Sequence, residues 1–316
     1  MMEVLNYPEW PNTYIYISNG IKEKFSNPYI YGDELRRILN NTACDLIRYF
    51  IKDLIRHRIL LVRILEGGLY YGLDYALRKY KLDFKIGDID VKSRIYYKPN
   101  DIVVKVVKDY GLCDMAKDVE VIIIGDTIAS GKTMTTVLEK LINCIKRDSL
   151  FLIMGFSTYN GLNRVRNLLD PLGFRYRLIA YGGLLGLGRN LTDMTLGDKP
   201  NYIPKDVRDY VYLKLGKPLA EKLCVVGDFT NSIKYIHLYL AERIVQIWEI
   251  LSEVKEFNKI RYLKLIREGI KRLMNLGYDT DGIEKLIAEE YVRRRRLAGE
   301  DLKIDRIPLD RILVVK

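Results

Sequence analysis

The sequence predicts an α/β protein whose mainly parallel sheet is covered by helices on both faces. Three short apolar runs, residues 59–65, 119–124 and 150–154, have the composition of strands buried on both faces. Segments with helical periodicity follow them, and the alternation from Asp33 to Tyr181 indicates parallel strands joined by helical crossovers. Ligands in such sheets bind beyond the carboxyl ends of the strands, so a site is expected in the turns that follow these runs.

The chain of 316 residues has an apolar fraction of 48%, which is sufficient for a sizeable core. We divide it into a loosely structured lead-in at 1–32, an α/β domain at 33–232 and a helical C-terminal extension at 233–316. No apolar run reaches membrane-spanning length and the first residues lack a signal-peptide pattern, so we expect a cytoplasmic protein.

The net charge of +11 favours an anionic partner, but phosphorylated metabolites, nucleic acids and acidic surfaces all satisfy it. Abundant charged residues beside a single glutamine suggest a thermophilic source. The four cysteines are far apart and form no CxxC pair, which argues against a zinc site or a disulfide framework and favours reduced thiols. They are Cys44, Cys113, Cys144 and Cys224.

The first elements of the α/β domain are a long helix from Asp33 to about Arg58, a strand at 59–65 and a helix at about 70–81. Between that strand and helix lies Glu66-Gly67-Gly68, a turn in which the glycines permit close backbone approach to a ligand. Residues 84–108 hold two apolar runs around a polar tip at 98–101, which predicts a β-hairpin.

The most informative stretch is 119–134, which reads VEVIIIGDTIASGKTM. A buried strand leads into a loop of small and hydroxyl residues, and a helix follows from Thr133. Such a loop can turn its backbone N–H groups inward, while the helix N-terminus adds partial positive charge. This arrangement predicts an anion site, and phosphate is the natural ligand.

Later elements are strands at 150–154 and 176–181, a helix at 161–169 and an apolar strand at 223–226 that leads into Gly227-Asp228. The extension has helical periodicity after Ser232 and again at 260–276 and 281–297. Four arginines, Arg293–Arg296, end the last helix. They could contact RNA or an acidic partner, but we favour a charge cluster that stabilises the helix C-terminus.

Two kinds of phosphate loop compete for 119–134. A Walker A loop has four residues between its first glycine and Gly-Lys-Ser/Thr, whereas five lie between Gly125 and Gly131. The stretch instead resembles the phosphoribosyl-diphosphate (PRPP) loop of type I phosphoribosyltransferases, in which a strand and two acidic residues precede three variable residues and Thr/Ser-Gly-x-Thr/Ser. The matching segments are Ile122–Ile124, Gly125-Asp126, Thr127–Ala129 and Ser130–Thr133.

The resemblance, closest to uracil phosphoribosyltransferases, implies that 33–232 is a phosphoribosyltransferase-like domain with the hairpin as a hood. The reaction would transfer ribose 5-phosphate from PRPP to a base, with uracil the leading guess, and release pyrophosphate. Mg²⁺ would accompany PRPP with no direct protein ligand, and a homodimer is the default assembly. The implied residues are Ala129, Ser130, Gly131, Lys132 and Thr133 for the 5′-phosphate, Asp126 for the ribose hydroxyls, Gly67, Gly68, Arg94 and Lys98 for pyrophosphate, and Gly227 and Asp228 near the base or metal-bound water.

Two departures from the pattern bear on catalysis. Gly125 stands where the family has its first ribose carboxylate, and Glu66 puts a carboxylate where the family usually has a cation. Losing such a group typically lowers a rate by about a hundredfold or more. The chain could therefore be a compensated enzyme, an enzyme with another substrate, or a non-catalytic PRPP or nucleotide-binding regulator whose extension binds a partner or RNA.

Overall fold

The computed structural model describes residues 2–65, 71–96, 101–188, 191–226, 235–252 and 259–297. The predicted fold class is confirmed, since these residues form a mostly parallel sheet with flanking helices. The strands are β1 Met2–Asn6, β2 Thr13–Ser18, β3 Ile59–Ile64, β4 Phe84–Tyr96, β5 Asp101–Asp109, β6 Val121–Gly125, β7 Leu150–Thr158, β8 Arg175–Leu187 and β9 Met194–Thr195.

The strand order is β1-β2-β8-β7-β6-β3-β4-β5, and β9 pairs with β8. Pairing is parallel from β2 to β4 and antiparallel in β1–β2, β4–β5 and β8–β9. Every residue of β6 and β7 is buried, which explains why these strands are continuous apolar runs in the sequence. The predicted hairpin is confirmed in β4 and β5, while its tip lies outside the described residues.

The helices cover the sheet and continue into the C-terminal extension. They are α1 Asn19–Ser26, α2 Gly32–Tyr49, α3 Ile51–Leu54, α4 Leu73–Lys79, α5 Leu112–Ala116, α6 Lys132–Ile142, α7 Tyr159–Leu169, α8 Lys205–Leu215, α9 Lys217–Lys222, α10 Ile236–Ser252, α11 Lys259–Asn275 and α12 Thr280–Leu297. The helix expected from Asp33 to Arg58 is thus two helices. Within the described ranges, no helix combines the length and the apolar character needed to cross a membrane.

Residues 2–26 are ordered into β1, β2 and α1, so the expectation of a loosely structured lead-in was wrong. β2 pairs with β8 and buries Ile15, Tyr16 and Ile17 in the core. Its sequence, TYIYIS, has the β-branched and aromatic composition of a strand, but the prolines and asparagines on either side of it indicated a loop. The domain boundaries proposed from the sequence remain predictions.

The order of the strands defines where a ligand site is expected. From β3 the chain passes through α4 to β4 on one side, and it returns through β5 and α5 to β6 on the other side of β3. The carboxyl ends of β3 and β6 therefore meet at a topological switch point, which is the preferred ligand position in open α/β sheets. The loop after β6, residues 126–131, begins there.

Cys113 and Cys144 form a disulfide, with Cα atoms 5.1 Å apart. The expectation that all four thiols are free was wrong for this pair, because 31 residues of sequence separation do not prevent α5 from lying beside the end of α6. The bond is reinforced by an ion pair between Lys140 and Asp109, whose N···O distance is 3.0 Å. Cys44 and Cys224 are free and buried.

The extension packs against the α/β body through buried hydrogen bonds. The Tyr29 hydroxyl donates to the Leu265 carbonyl at 2.6 Å, and the Leu219 N–H donates to the Tyr262 hydroxyl at 3.2 Å. Arg293 and Arg294 face inward to Glu290, Glu242, Asp193 and Glu249. These two arginines of the basic run are therefore bound within the fold, which leaves them poorly placed for contact with RNA.

Candidate functional site

We use the name 126–133 loop for the residues that follow the carboxyl end of β6, of which 126–131 form the turn and the last two begin α6. β6 ends at Gly125 and α6 begins at Lys132, with Gly131 as the N-cap residue at a φ of 77°. Gly131 has no side chain with which to cap α6. The first backbone N–H groups of a helix have no partner within it, so those of α6 are placed to bind an anion.

The start of the loop is fixed to β7 by backbone hydrogen bonds. The Asp126 N–H donates to the Met154 carbonyl at 3.1 Å, and the Ile128 N–H donates to the Phe156 carbonyl at 2.8 Å. The Ile128 carbonyl accepts from the Thr158 N–H at 3.0 Å. The Ala129 carbonyl in turn accepts from the Thr158 hydroxyl at 2.5 Å.

These bonds fix the direction of the next two N–H groups. A trans peptide places its carbonyl and the N–H that follows on opposite sides. Because the Ile128 and Ala129 carbonyls face Thr158, the N–H groups of Ala129 and Ser130 face away from it. Together with the N–H groups at the start of α6, they provide backbone donors of the kind that bind a phosphate.

Three glycines allow the loop to lie directly on the β7–α7 segment. A Cβ at Gly155 would lie 1.8 Å from the Asp126 carbonyl oxygen, and one at Gly161 would lie 2.4 Å from the Ala129 carbonyl oxygen. A Cβ at Gly131 would lie 2.5 Å from the Gly161 carbonyl oxygen. All three obstacles are backbone atoms, so no side-chain movement would relieve them, and the loop path depends on these glycines.

A side chain at position 125 would clash with its neighbours. A Cβ there would lie 2.6 Å from Leu73 Cδ1 and 2.9 Å from Tyr71 Cβ. Tyr71 is fully buried and Leu73 is 4% exposed. The side chains that precede and begin α4 thus take the space that an acidic residue would need.

Asp126 is the acidic residue that remains in the loop, and it is 6% exposed. Burial raises the pKa of its carboxyl from 3.8 to about 7, while a hydrogen bond from the Thr127 backbone N–H acts in the opposite direction. A carboxyl with a pKa close to neutrality, located at the carboxyl end of a central strand, is typical of functional sites.

Ser130, Lys132 and Thr133 are all partly exposed at the mouth of this loop. The Ser130 hydroxyl lies 3.5 Å from the Lys132 backbone nitrogen, and the Gly131 carbonyl accepts the first bond of α6 from the Thr135 N–H at 2.9 Å. The structure therefore brings together the whole set predicted for the 5′-phosphate. The roles of these residues and of Asp126 remain predictions.

The remaining predicted site residues fall outside the part of the chain that the structure describes. Gly67, Gly68, Lys98, Gly227 and Asp228 lie outside the described residues, as does the side chain of Arg94. Their assignment to pyrophosphate, the base or metal-bound water stays a prediction.

Comparison with solved structures finds similarity to phosphoribosyltransferases, of which three are described. A hypoxanthine phosphoribosyltransferase from Staphylococcus aureus matches with 21% identity and a TM-score of 0.30, over 38% of this chain and 65% of that enzyme, just under two thirds. A hypoxanthine-guanine phosphoribosyltransferase from Bacillus anthracis matches with 18% identity and a TM-score of 0.30, over 40% of this chain and 70% of that one.

An adenine phosphoribosyltransferase from Trypanosoma brucei, solved with AMP, pyrophosphate and ribose-5-phosphate, matches at 13% identity with a TM-score of 0.34. That match covers 57% of this chain and 86% of the enzyme. No protein-family model and no curated protein matches the sequence.

Several residues that shape the site were missed in the sequence. They are Tyr71, Gly155, Thr158 and Gly161. The pair of glycines around Ser157-Thr158 was a possible signal, since glycines that flank hydroxyl residues at a strand end often mark close backbone approach. Tyr71 gave no signal, because its role depends on contacts with residues more than fifty positions away.

Proposed function

We propose that this protein binds PRPP and transfers its ribose 5-phosphate to a nucleobase with release of pyrophosphate. We propose uracil as the base and the cytoplasm as the compartment in which the protein acts. In this proposal the N–H groups of Ala129 to Thr133 and the hydroxyls of Ser130 and Thr133 bind the 5′-phosphate. Asp126 accepts hydrogen bonds from the ribose hydroxyls. The proposal is supported above all by the donor set of the 126–133 loop, whose carbonyls are held away from the ligand side by Thr158.

Catalysis in such a reaction consists mainly of holding the base against the anomeric carbon and neutralising the departing pyrophosphate. Mg²⁺ would supply charge neutralisation there. The resemblance to type I phosphoribosyltransferases supports the proposal that the pyrophosphate of PRPP carries Mg²⁺, with no direct protein ligand.

The decisive experiment incubates the purified protein with PRPP, Mg²⁺ and a panel of bases and measures release of pyrophosphate and formation of nucleoside monophosphate. We expect turnover with one pyrimidine or purine base. Absence of turnover with every base would exclude the proposal. ATP hydrolysis that disappears in Lys132→Ala would instead indicate a nucleotide hydrolase with an altered P-loop.

The Gly131→Ala substitution is expected to weaken binding of ribose 5-phosphate by about tenfold or more, because the new Cβ would displace the loop from the Gly161 carbonyl. It also places a side chain at a left-handed φ of 77°, which costs about 1–2 kcal/mol of stability. Isothermal titration calorimetry and urea unfolding measure the two effects separately.

Gly173→Ala is the matched control for this prediction. Gly173 has a similar φ of 68°, but nothing lies within 4 Å of an added Cβ. The control should therefore lose a similar free energy from backbone strain and keep the affinity of wild type for ribose 5-phosphate. Equal affinity in both variants would contradict the role assigned to Gly131.

A second candidate is a non-catalytic PRPP or nucleotide-binding regulator that uses its extension to contact a protein or RNA. The observation in its favour is the space at Gly125, which Tyr71 and Leu73 fill so that no second ribose carboxylate fits. This candidate predicts calorimetric binding of PRPP or a nucleoside monophosphate without turnover on any base. The panel assay above therefore separates the two functions.

A further inference from the structure

Tyr71 lies at the junction between α4 and the 126–133 loop. Its side chain is fully buried, and its ring packs against Phe156 and Tyr181 with centroid distances of 6.3 and 5.9 Å. Its Cβ lies 2.9 Å from the position that a Cβ at Gly125 would take. The tyrosine thus occupies space that a side chain at position 125 would need.

The Tyr71 hydroxyl forms a hydrogen bond of 2.7 Å with Thr127 Oγ1. Thr127 lies between Asp126 and Ile128, whose N–H groups both bond to β7. Since the backbone on either side of Thr127 is held by β7, Tyr71 holds the loop from the α4 side. The start of the loop is therefore fixed from two directions before a ligand arrives.

We propose that Tyr71 is a positioning residue for the bound ribose phosphate. Its hydroxyl holds Thr127, which aligns the donor groups of Ala129 and Ser130, and its side chain fills space that a side chain at position 125 would need. This inference rests on the proposed function. A loop fixed in its binding conformation loses less conformational freedom on binding, which is a direct gain in affinity.

The test compares Tyr71→Phe with wild type by calorimetric titration with ribose 5-phosphate and with PRPP in Mg²⁺. The variant keeps the ring and removes the hydroxyl, so we expect an affinity about threefold to tenfold lower, the effect of one hydrogen bond. Thr127→Val should weaken binding by a similar factor. The double variant should lose no more than either single one, because both remove the same bond.

Tyr181→Phe is the matched control. Tyr181 is as deeply buried as Tyr71, and within the described part of the chain its hydroxyl has no hydrogen-bond partner. Its removal should leave the affinity unchanged. Thermal unfolding of all four variants reports stability independently of binding.

The outcomes distinguish this inference from the proposed function. Failure of wild type to bind either ligand overturns both. Binding by wild type with a Tyr71→Phe affinity within twofold overturns the inference alone, and a lowered melting temperature with unchanged affinity does so as well, because a purely structural tyrosine would give that result. An equal loss in Tyr181→Phe also overturns it, since the effect would then come from general packing.

Discussion

At pH 8, Asp126→Asn is expected to increase the free energy of unfolding by up to about 4 kcal/mol relative to wild type. The pKa of this carboxyl rises from 3.8 to about 7 on folding because burial outweighs the opposing hydrogen bond from the Thr127 backbone N–H. Keeping the ionised form in the folded state therefore costs free energy that an asparagine would not cost. The comparison is made by urea unfolding between pH 4 and pH 8.

The sign of the pH dependence follows from proton binding. Below a pH of about 4 the carboxyl is protonated in both states, so it makes no difference to stability. Between about pH 4 and pH 7 the folded protein holds a proton that the unfolded chain has released, so stability falls by about 1.4 kcal/mol per pH unit from this group. Above the folded pKa the loss is complete.

Asp118→Asn provides the control, because Asp118 is exposed and lies in the turn just before β6. Its unfolding free energy should follow that of wild type across the whole range. A difference between Asp126→Asn and wild type that is the same at pH 5 and at pH 8 would contradict the prediction. We also expect Asp126→Asn to bind ribose 5-phosphate more weakly, because the amide lacks one of the two oxygens proposed to accept hydrogen bonds from the ribose hydroxyls.

The sequence predicted those parts of the fold that depend on local pattern. β3, β6 and β7 were identified because strands buried on both faces are continuous apolar runs, and the 126–133 loop was identified because its small residues adjoin a helix start. β2 was missed although TYIYIS has the composition of a strand, because the prolines and asparagines around it indicated a loop. Its place in the sheet is defined by its pairing with β8, which lies far away in the sequence.

Features that depend on distant partners could not be predicted. The sequence shows that Gly125 replaces an acidic residue of the family pattern. The packing of Tyr71 and Leu73 against Gly125 arises only when α4 meets β6. The Cys113–Cys144 bond has the same origin, since it requires α5 to lie against the end of α6. No pattern within a short window contains this information, because each contact is set by the order of strands in the sheet.

The buried charges between the extension and the body give the second large prediction. Arg243→Met is expected to lower the free energy of unfolding by about 3–5 kcal/mol near neutral pH. Arg243 is fully buried, donates to Gln246 Oε1 at 2.7 Å and stacks on Tyr239 with its guanidinium carbon 4.8 Å from the ring centroid. Removing its charge leaves the carboxylates of Glu242 and Asp193 with less compensation.

The loss should depend on pH in a direction that burial fixes. Burial raises the pKa of Glu242 to about 7, and the charge of Arg243 opposes that rise. Without the arginine the pKa of Glu242 rises further, so the variant is penalised most at pH 8, where ionisation is favoured, and least at pH 5, where the acid is neutral. Urea unfolding at both values measures the difference.

Arg37→Met is a suitable control, because Arg37 is exposed on α2 and such substitutions usually change stability by less than about 0.5 kcal/mol. Equal stability of Arg243→Met and wild type at both pH values would show that the buried charges do not hold the extension in place.

The buried residues around Arg243 also determine how the function of the extension can be tested. Gln246, one helical turn from Arg243, accepts a hydrogen bond from the Cys224 N–H at 3.3 Å, and Val225 and Val226 bond to Met194 in β9. The strand predicted at 223–226 is instead an irregular segment with one isolated bridge from Val226 to Met194, and helix α10 supports this segment. Deleting the extension would expose this apolar and charged surface, so we expect the truncated chain to unfold. Single substitutions on the outer face of α11 are the appropriate test for a partner of the extension.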